Sequence, residues 1–285
     1  MEGSGLYGRP AAGVLADAGM TVVEVPPHMT AAARRRQRTG SKTDPGDALA
    51  IARVRLREPA LPPPRPHGAI EELRCLVRYR RELVADRTRQ VNRLHADLEQ
   101  LRPGYHQRVG RLSTTKALDR TARLLRGDTT SRAQVARNRI KTLRSLQRTI
   151  DGLAAETRGA VDTTGTTLRQ IDGIGHLTAA DILTEVGDPA RFPNKAAFAM
   201  ANGTAPIEAS SGRVQRHRLN RGGNRQLNKA IHTAALTQIA HRHTEGRRYY
   251  QRCRDRGKTK REAIRALKRR ISDRIWTHLN THPLT

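Results

Sequence analysis

Two phenylalanines, one tryptophan and five tyrosines are all the aromatic residues in a chain of 285, 3% of the total. So thin a supply leaves few faces on which unpaired bases could stack, and any bound nucleic acid must be held mainly through its phosphates. Cysteine is scarcer still: Cys75 and Cys253 stand far apart and have no Cys or His partner at metal-ligand spacing, which excludes a disulfide scaffold and a zinc site. Acid is also short, 26 Asp and Glu against 54 Lys and Arg, a formal charge of +28. That imbalance would strain a compact fold left without a polyanion, so the composition points to nucleic acid. No apolar run approaches the roughly 18 residues of a spanning helix, and the N-terminus lacks a signal peptide's apolar core. The sequence reads as a cytoplasmic protein that does not enter membranes.

What is present divides the chain into parts. A glycine-rich opening, "MEGSGLYG", precedes a helix through Ala18, and "TVVEVPP" places Val22, Val23 and Val25 as a short buried strand. A helix follows Asp44. The stretch "EPALPPPRPHG" (58–68) carries five prolines and reads as a semi-rigid spacer, the clearest boundary in the chain. Beyond it Ile70, Leu73, Leu76, Leu83, Leu94, Leu98 and Leu101 recur at helical and coiled-coil steps, and "RPGYH" (102–106) ends the pattern. A second such helix carries Leu143, Leu146, Ile150 and Leu153. Residues 69–160 are therefore expected to form a long antiparallel helical arm that pairs with another copy, in a homodimer or tetramer. "GAVDTTGTT" (159–167) reads as the linker out of it, and 168–285 as a mainly α-helical C-terminal domain. Early in that domain Gly173-Ile174-Gly175 makes a tight turn between two short helices, similar to a helix-hairpin-helix, which offers backbone N–H groups to a phosphate; a plain packing corner accounts for it as well.

Asp44 and Asp47 are the first candidates for chemistry. Asp-Pro commonly opens a helix, with Asp44 as N-cap, Pro45 at the first helical position and Asp47 favourable in the first turn. A separation of three also puts both carboxylates on one side of that turn, where they can reach one divalent cation. Cleavage of a phosphodiester with metal ions needs further carboxylates from elsewhere, and Glu2 is a candidate third ligand. "ARRRQR" (33–38), with Arg34, Arg35 and Arg36, and Lys42 beyond it, either steers nucleic acid toward the acidic pair or forms a solvated loop. "RALKRRISDR" (265–274) spreads charge along a helix that lines a nucleic-acid groove, and Asn224 and Arg225 in "RGGNR" contact nucleic acid, although Gly222 and Gly223 are explained as well by a plain turn. His241 and His243 diverge on a helix and are not read as ligands.

"EGSGLYG", "VVEVPP", "SKTDPGDALAIARV", "GIGHLTAADILTEVGD", "APIEASSGR" and "RGGNRQLNKAIHTAA", in this order, resemble the DEDD-type insertion-sequence transposases, the insertion sequence 110 family that includes the Piv DNA invertase. The resemblance covers nearly the whole chain. It implies a RuvC-like domain of ribonuclease H fold over 1–58, the spacer at 59–68, the helical arm, and a C-terminal transposase domain. It also implies recombination of DNA, in several members guided by a structured RNA. Of the family's four acidic residues, Glu2 falls on the second, Asp44 on the third and Asp47 on the fourth, as ligands of Mg²⁺. A serine in a block like "SSG", proposed to attack the scissile phosphate, falls on Ser211, or less well on Ser210. Arg213, Arg216, Arg218, Arg221 and Arg225 surround it and suit a phosphate whose charge grows during attack.

The family's first acidic residue lies upstream of the "EGSGLYG" block, and this chain begins one residue before that block. The resemblance therefore implies a truncated RuvC-like domain, through a start assigned too late or a decayed element, and impaired catalysis. Two rival readings use the same residues: a RuvC-like endonuclease working with metal-activated water, and a non-catalytic nucleic-acid-binding remnant.

Overall fold

The computed structural model describes residues 1–2, 8–35, 43–59, 61, 69–208, 217–218, 220 and 222–281. Near the N-terminus, α1 (Arg9–Asp17), α2 (Pro27–Arg35) and α3 (Asp44–Arg57) are short helices, with α2 packed on α3. The expected strand over "TVVEV" is not formed, and no strand occurs among the described residues before 207. Residues 21–26 are extended, and one rung of parallel pairing holds them: the Met1 amino group donates to the Val23 carbonyl at 2.8 Å, and the Val25 amide donates to the Met1 carbonyl at 2.7 Å. Among the described residues one rung is all the pairing this segment has, and a single rung does not make a stable sheet. The described part of the expected RuvC-like region is thus helical with one extended segment.

The arm follows its periodicity. α4 (Ala69–Leu101) and α7 (Ser131–Thr163) each run 33 residues, and the short α5 (His106–Val109) and α6 (Thr115–Leu124) close the tip between them. Leu94 and Leu98 meet Ile140 and Leu143 near the tip, and Leu83 meets Ile150 and Leu153 midway. Leu73 and Val77 meet Val161 at the root. Numbers rise on one helix as they fall on the other, so the pair is antiparallel. Arg139 fixes the register by donating to Asp97 at 2.8 Å and Gln90 at 3.0 Å. The Thr130 hydroxyl, accepting from the Ala133 amide at 3.3 Å, caps α7. α7 does not stop before "GAVD": Val161 is fully buried in the core at the root, and that burial carries the helix through part of the expected linker to Thr163.

At the root, α4, α7 and α10 (Arg225–Ala240) enclose α8 (His176–Val186). The body is completed by α9 (Lys195–Ala201), the two-residue strands β1 (Ile207–Glu208) and β2 (His217–Arg218), α11 (Glu245–Asp255) and α12 (Lys260–Thr281). The break between α11 and α12 falls at Gly257, with φ 81°. Arg74 donates from Nε and Nη2 to the Thr184 carbonyl at 3.1 Å each, and Arg81 reaches Asp181 and Glu185 at 2.7 Å, so α4 is tied to α8 by two guanidinium groups. Burial pulls the Arg81 guanidinium down, but its bonds to Glu185 and Asp181 outweigh burial and hold it above its ordinary value. No helix among the described residues is long and apolar enough to cross a membrane.

Leu143 is fully buried, whereas Val135, on the same helix, is 44% exposed. Leu143→Ala is therefore expected to lower unfolding free energy by about 2–5 kcal/mol, and Val135→Ala by about 0.5 kcal/mol or less. Denaturant titration compares them. Equal losses would mean that the arm's two long helices do not pack in this register.

Candidate functional site

The "APIEASSGR" block is approached from α9. Asn194 caps that helix, its Oδ1 accepting from the Ala197 amide at 2.8 Å. Beyond its end Gly203 takes φ 73°, and the Thr204 and Ala205 amides both fold back onto the Ala199 carbonyl, at 2.9 and 3.1 Å. β1 and β2 then pair antiparallel, Ile207 opposite Arg218 and Glu208 opposite His217. These rungs form the base of a hairpin; Ser210, Ser211, Arg213 and Arg216, which lie between the two strands in sequence, are outside the described residues, as are Arg221, Arg36 and Lys42. Arg218 is exposed at the hairpin base.

Glycine contacts fix that base. A Cβ on Gly223 would lie 2.2 Å from the Gly203 nitrogen, so the "RGGN" turn is pressed against the backbone entering the hairpin. Asn224, read as a nucleic-acid contact or part of a turn, is engaged within the chain. Its Oδ1 accepts from the Gln226 and Leu227 amides at 3.0 Å to cap α10, and its Nδ2 donates to Glu185 at 2.9 Å. Arg225, next to it, is exposed.

Between the hairpin base, α11 and α12 lies a cleft of about 810 Å³, lined among others by Arg218, Lys258, Arg265, Lys268 and Arg269. Lys268 is only 9% exposed and donates to Asn228 Oδ1 at 2.6 Å. Behind it runs a polar chain: Asn228 Nδ2 donates to the Asn202 carbonyl and Asn202 Nδ2 to Ser272 Oγ, each at 2.7 Å, while Asn202 Oδ1 accepts from the Thr204 hydroxyl at 2.6 Å. Asn202 and Ser272 are fully buried. Burial pushes the Lys268 ammonium down to about 8. His232 is lowered too, by burial first and then by Lys268. The sequence placed this helix at a groove, but not the burial of Lys268. The signal was its position, on the same face of α12 as the buried Leu267, Ile271 and Ile275.

The acidic candidates lie elsewhere. Thr43, not Asp44, is the N-cap of α3, its hydroxyl accepting from the Gly46 amide at 3.3 Å. Asp44 is therefore not needed as the cap. It is exposed, Asp47 is half-buried in the same first turn, and both sit at the positive end of the helix dipole. Glu2 is half-buried beside the Met1 rung. Among the described residues no three His, Cys, Asp or Glu side chains are grouped so as to hold a metal ion. The Asp44 and Asp47 oxygens suit a hard cation chemically, but with Glu2 they do not make a set that fits one here. Arg34 and Arg35 fall in the last turn of α2, with Arg35 exposed.

The glycine turn resolves toward packing. Only a four-residue 3₁₀ turn, Thr167–Gln170, precedes it. Gly173 has φ 80°, and a Cβ there would stand 2.6 Å from the Ala234 carbonyl of α10. Gln238 Nε2 donates to the adjacent Asp172 carbonyl at 2.6 Å, and Gly246 of α11 presses on the same glutamine. Gly175, the exposed N-cap of α8, has open space around it.

Two stretches of the chain match models of known protein families. A family model described as a transposase, of the DEDD type named for IS110, matches residues 1–103 and so includes Glu2, Asp44 and Asp47. A second, described as the transposase IS116/IS110/IS902 family, matches residues 165–251 and includes the hairpin. An uncharacterized 43.6 kDa protein of insertion element IS110 from Streptomyces coelicolor is 40% identical over 107 residues, 37% of this chain and 26% of that protein. An uncharacterized protein of insertion element IS116 from Streptomyces clavuligerus is 26% identical over 92% of this chain and 77% of its own length. One of insertion element IS900 from Mycobacterium paratuberculosis is 28% identical over 94% and 79%. The chain belongs to the IS110-type family of insertion-sequence transposases.

If Gly173 is required for packing, Gly173→Ala destabilises the body, lowering the melting temperature by several degrees through its positive φ and the clash with α10. A variant that melts like the parent and loses only nucleic-acid affinity would restore the phosphate role.

Proposed function

We propose that this chain acts as the transposase of an insertion sequence, cutting and rejoining DNA through a serine hydroxyl from the segment between β1 and β2, Ser211 in preference to Ser210. The observation that carries the reading is the placement of the base of that hairpin beside a cleft with five cationic side chains. Attack by a serine needs its phosphate held and neutralised, because charge builds on the phosphoryl oxygens in the transition state.

In the proposed step the serine oxygen forms a bond to phosphorus, and the bond from phosphorus to the leaving strand's oxygen breaks. The hydroxyl proton ends on that leaving oxygen. The phosphoserine ester keeps one phosphodiester's worth of bond energy, so attack by a strand hydroxyl reverses the step and joins new ends without a nucleotide cofactor. Asp44, Asp47 and Glu2 lie within the span matched by the DEDD-type model, and the resemblance would give them Mg²⁺, but as placed here they do not fit one ion, and the proposed step does not use it. A structured RNA would meet the same cationic surface through its own phosphates, and an RNA guide is part of the proposal on the family resemblance.

Trapping on DNA of the element's ends tests the nucleophile. A covalent protein–DNA adduct is expected with the parent chain, kept in Ser210→Ala and lost in Ser211→Ala. No adduct from any of the three, alongside cleaved product, would favour hydrolysis by water and sink the serine route.

A further inference from the structure

Lys268 presents a problem of charge. It lies on the buried face of α12, in line with Leu267 and Ile271, and its hydrogen-bond partner, the Asn228 amide oxygen, is neutral. Among the described residues no carboxylate is within ion-pair distance of its ammonium. Glu262, the acid on the cleft wall, is turned to the start of α12, where it accepts from the Thr259 amide at 2.8 Å and the Thr259 hydroxyl at 2.7 Å. Arg269 is neutralised by Asp273 at 2.6 Å, but Lys258, Arg265 and Arg218 add positive charge to the same walls. A buried cation without counter-charge is costly, and the cost is offset when a bound anion supplies one.

We propose that the cleft is a phosphodiester-binding site, in which a backbone phosphate of nucleic acid is the counter-charge of Lys268 and Arg265, Lys258 and Arg218 hold its flanks. The polar chain gives the site a fixed floor. Asn228, Asn202 and Ser272 lock Lys268 from behind, and Asn202 also holds Thr204, at the entrance to the hairpin. Lys268 is thus a positioning residue: a phosphate seated on it is placed relative to the hairpin base by side chains that also set that base. The assignment rests on the reading that the chain acts on nucleic acid, and names where on the C-terminal body a strand is held.

The titratable and charged neighbours set the sign of the pH dependence. His232 faces Lys268 from α10, lowered by burial and by Lys268, and Tyr249 faces the cleft from α11, raised by burial and then by Cys253. Glu262, Arg265 and Arg269 share α12, Arg218 comes from β2, and Lys258 from the turn before α12. With its value near 8, the Lys268 ammonium is charged at pH 7 and loses its proton as pH rises through about 8. A bound phosphate favours the charged form, so affinity falls from pH 7 to pH 9 wherever Lys268 makes the contact.

The test uses the full chain, a short fluorescent DNA duplex and an RNA duplex of the same sequence, with binding followed by anisotropy across salt and pH. Lys268→Met and Arg265→Gln are each expected to weaken binding about tenfold, and to reduce the slope of log affinity against log salt by about 0.9 for DNA. Lys141→Met, which removes an exposed charge from α7 of the arm, should change affinity less than twofold. The fall between pH 7 and 9 should be steep in the parent and shallow in Lys268→Met. The duplex that responds identifies the nucleic acid held. If neither responds to Lys268→Met or Arg265→Gln, or if Lys141→Met costs as much, the site is refuted. Arg265 is only half-buried, so its variant decides the matter if Lys268→Met unfolds. Binding is read without cleavage: a cleft that binds normally beside a missing serine adduct sinks the recombinase alone, and the reverse sinks the cleft alone.

Discussion

The burial of α8 is the constraint on which the C-terminal body depends. Its Ala179, Ala180, Ile182, Leu183 and Val186 are at most 1% exposed, so no single face could cover it, and α4, α7 and α10 close around it together. The polar residues of α8 are used as well. Asp181 and Glu185 take Arg81 from α4, Glu185 takes Asn224 from α10, and the Thr184 carbonyl takes Arg74. Through that one helix the root of the arm and the C-terminal body share a core. The glycines at 173, 203, 223 and 246 let the remaining segments come close enough to finish it.

On that base the chain sorts its charge. The arm spends much of its arginine on internal carboxylates and amides, as at Arg139 with Asp97 and Arg144 with Asp119. Around the hairpin base the balance tips the other way: basic side chains converge where acids are few, and one lysine is buried against neutral partners. A net charge of +28 alone predicts attraction to any polyanion. A buried, locked cation predicts a place where one phosphate is held at a fixed distance from a named loop.

The arm was legible because the leucine spacing from Leu73 to Leu101 and from Leu143 to Leu153 is a local property, and antiparallel packing follows from the "RPGYH" break between them. The family was legible through ordered blocks. Asp44 as helix cap was a near miss: Thr43, one residue earlier, has the same capping chemistry, and local spacing does not choose between adjacent candidates. The strand over Val22 to Val25 failed because a strand is stable only through its neighbours, which no local pattern supplies. At Gly173 and Asn224 local sequence left a packing corner or turn and a phosphate contact both open, since the partners they have here, Ala234 and Glu185, are distant in sequence. Lys268 went unnoticed as a buried residue because a lysine within "RALKRRISDR" looks like one charge among many.

The central claim is that nucleic acid is seated at the hairpin base rather than merely drawn to a basic surface. Photo-crosslinking of the full chain to duplex DNA at elevated salt, with the joined peptides mapped by mass spectrometry, tests it most directly. The account predicts crosslinks concentrated in 203–220 and 258–269. Crosslinks spread along the arm, 69–163, with none around the cleft, would contradict it.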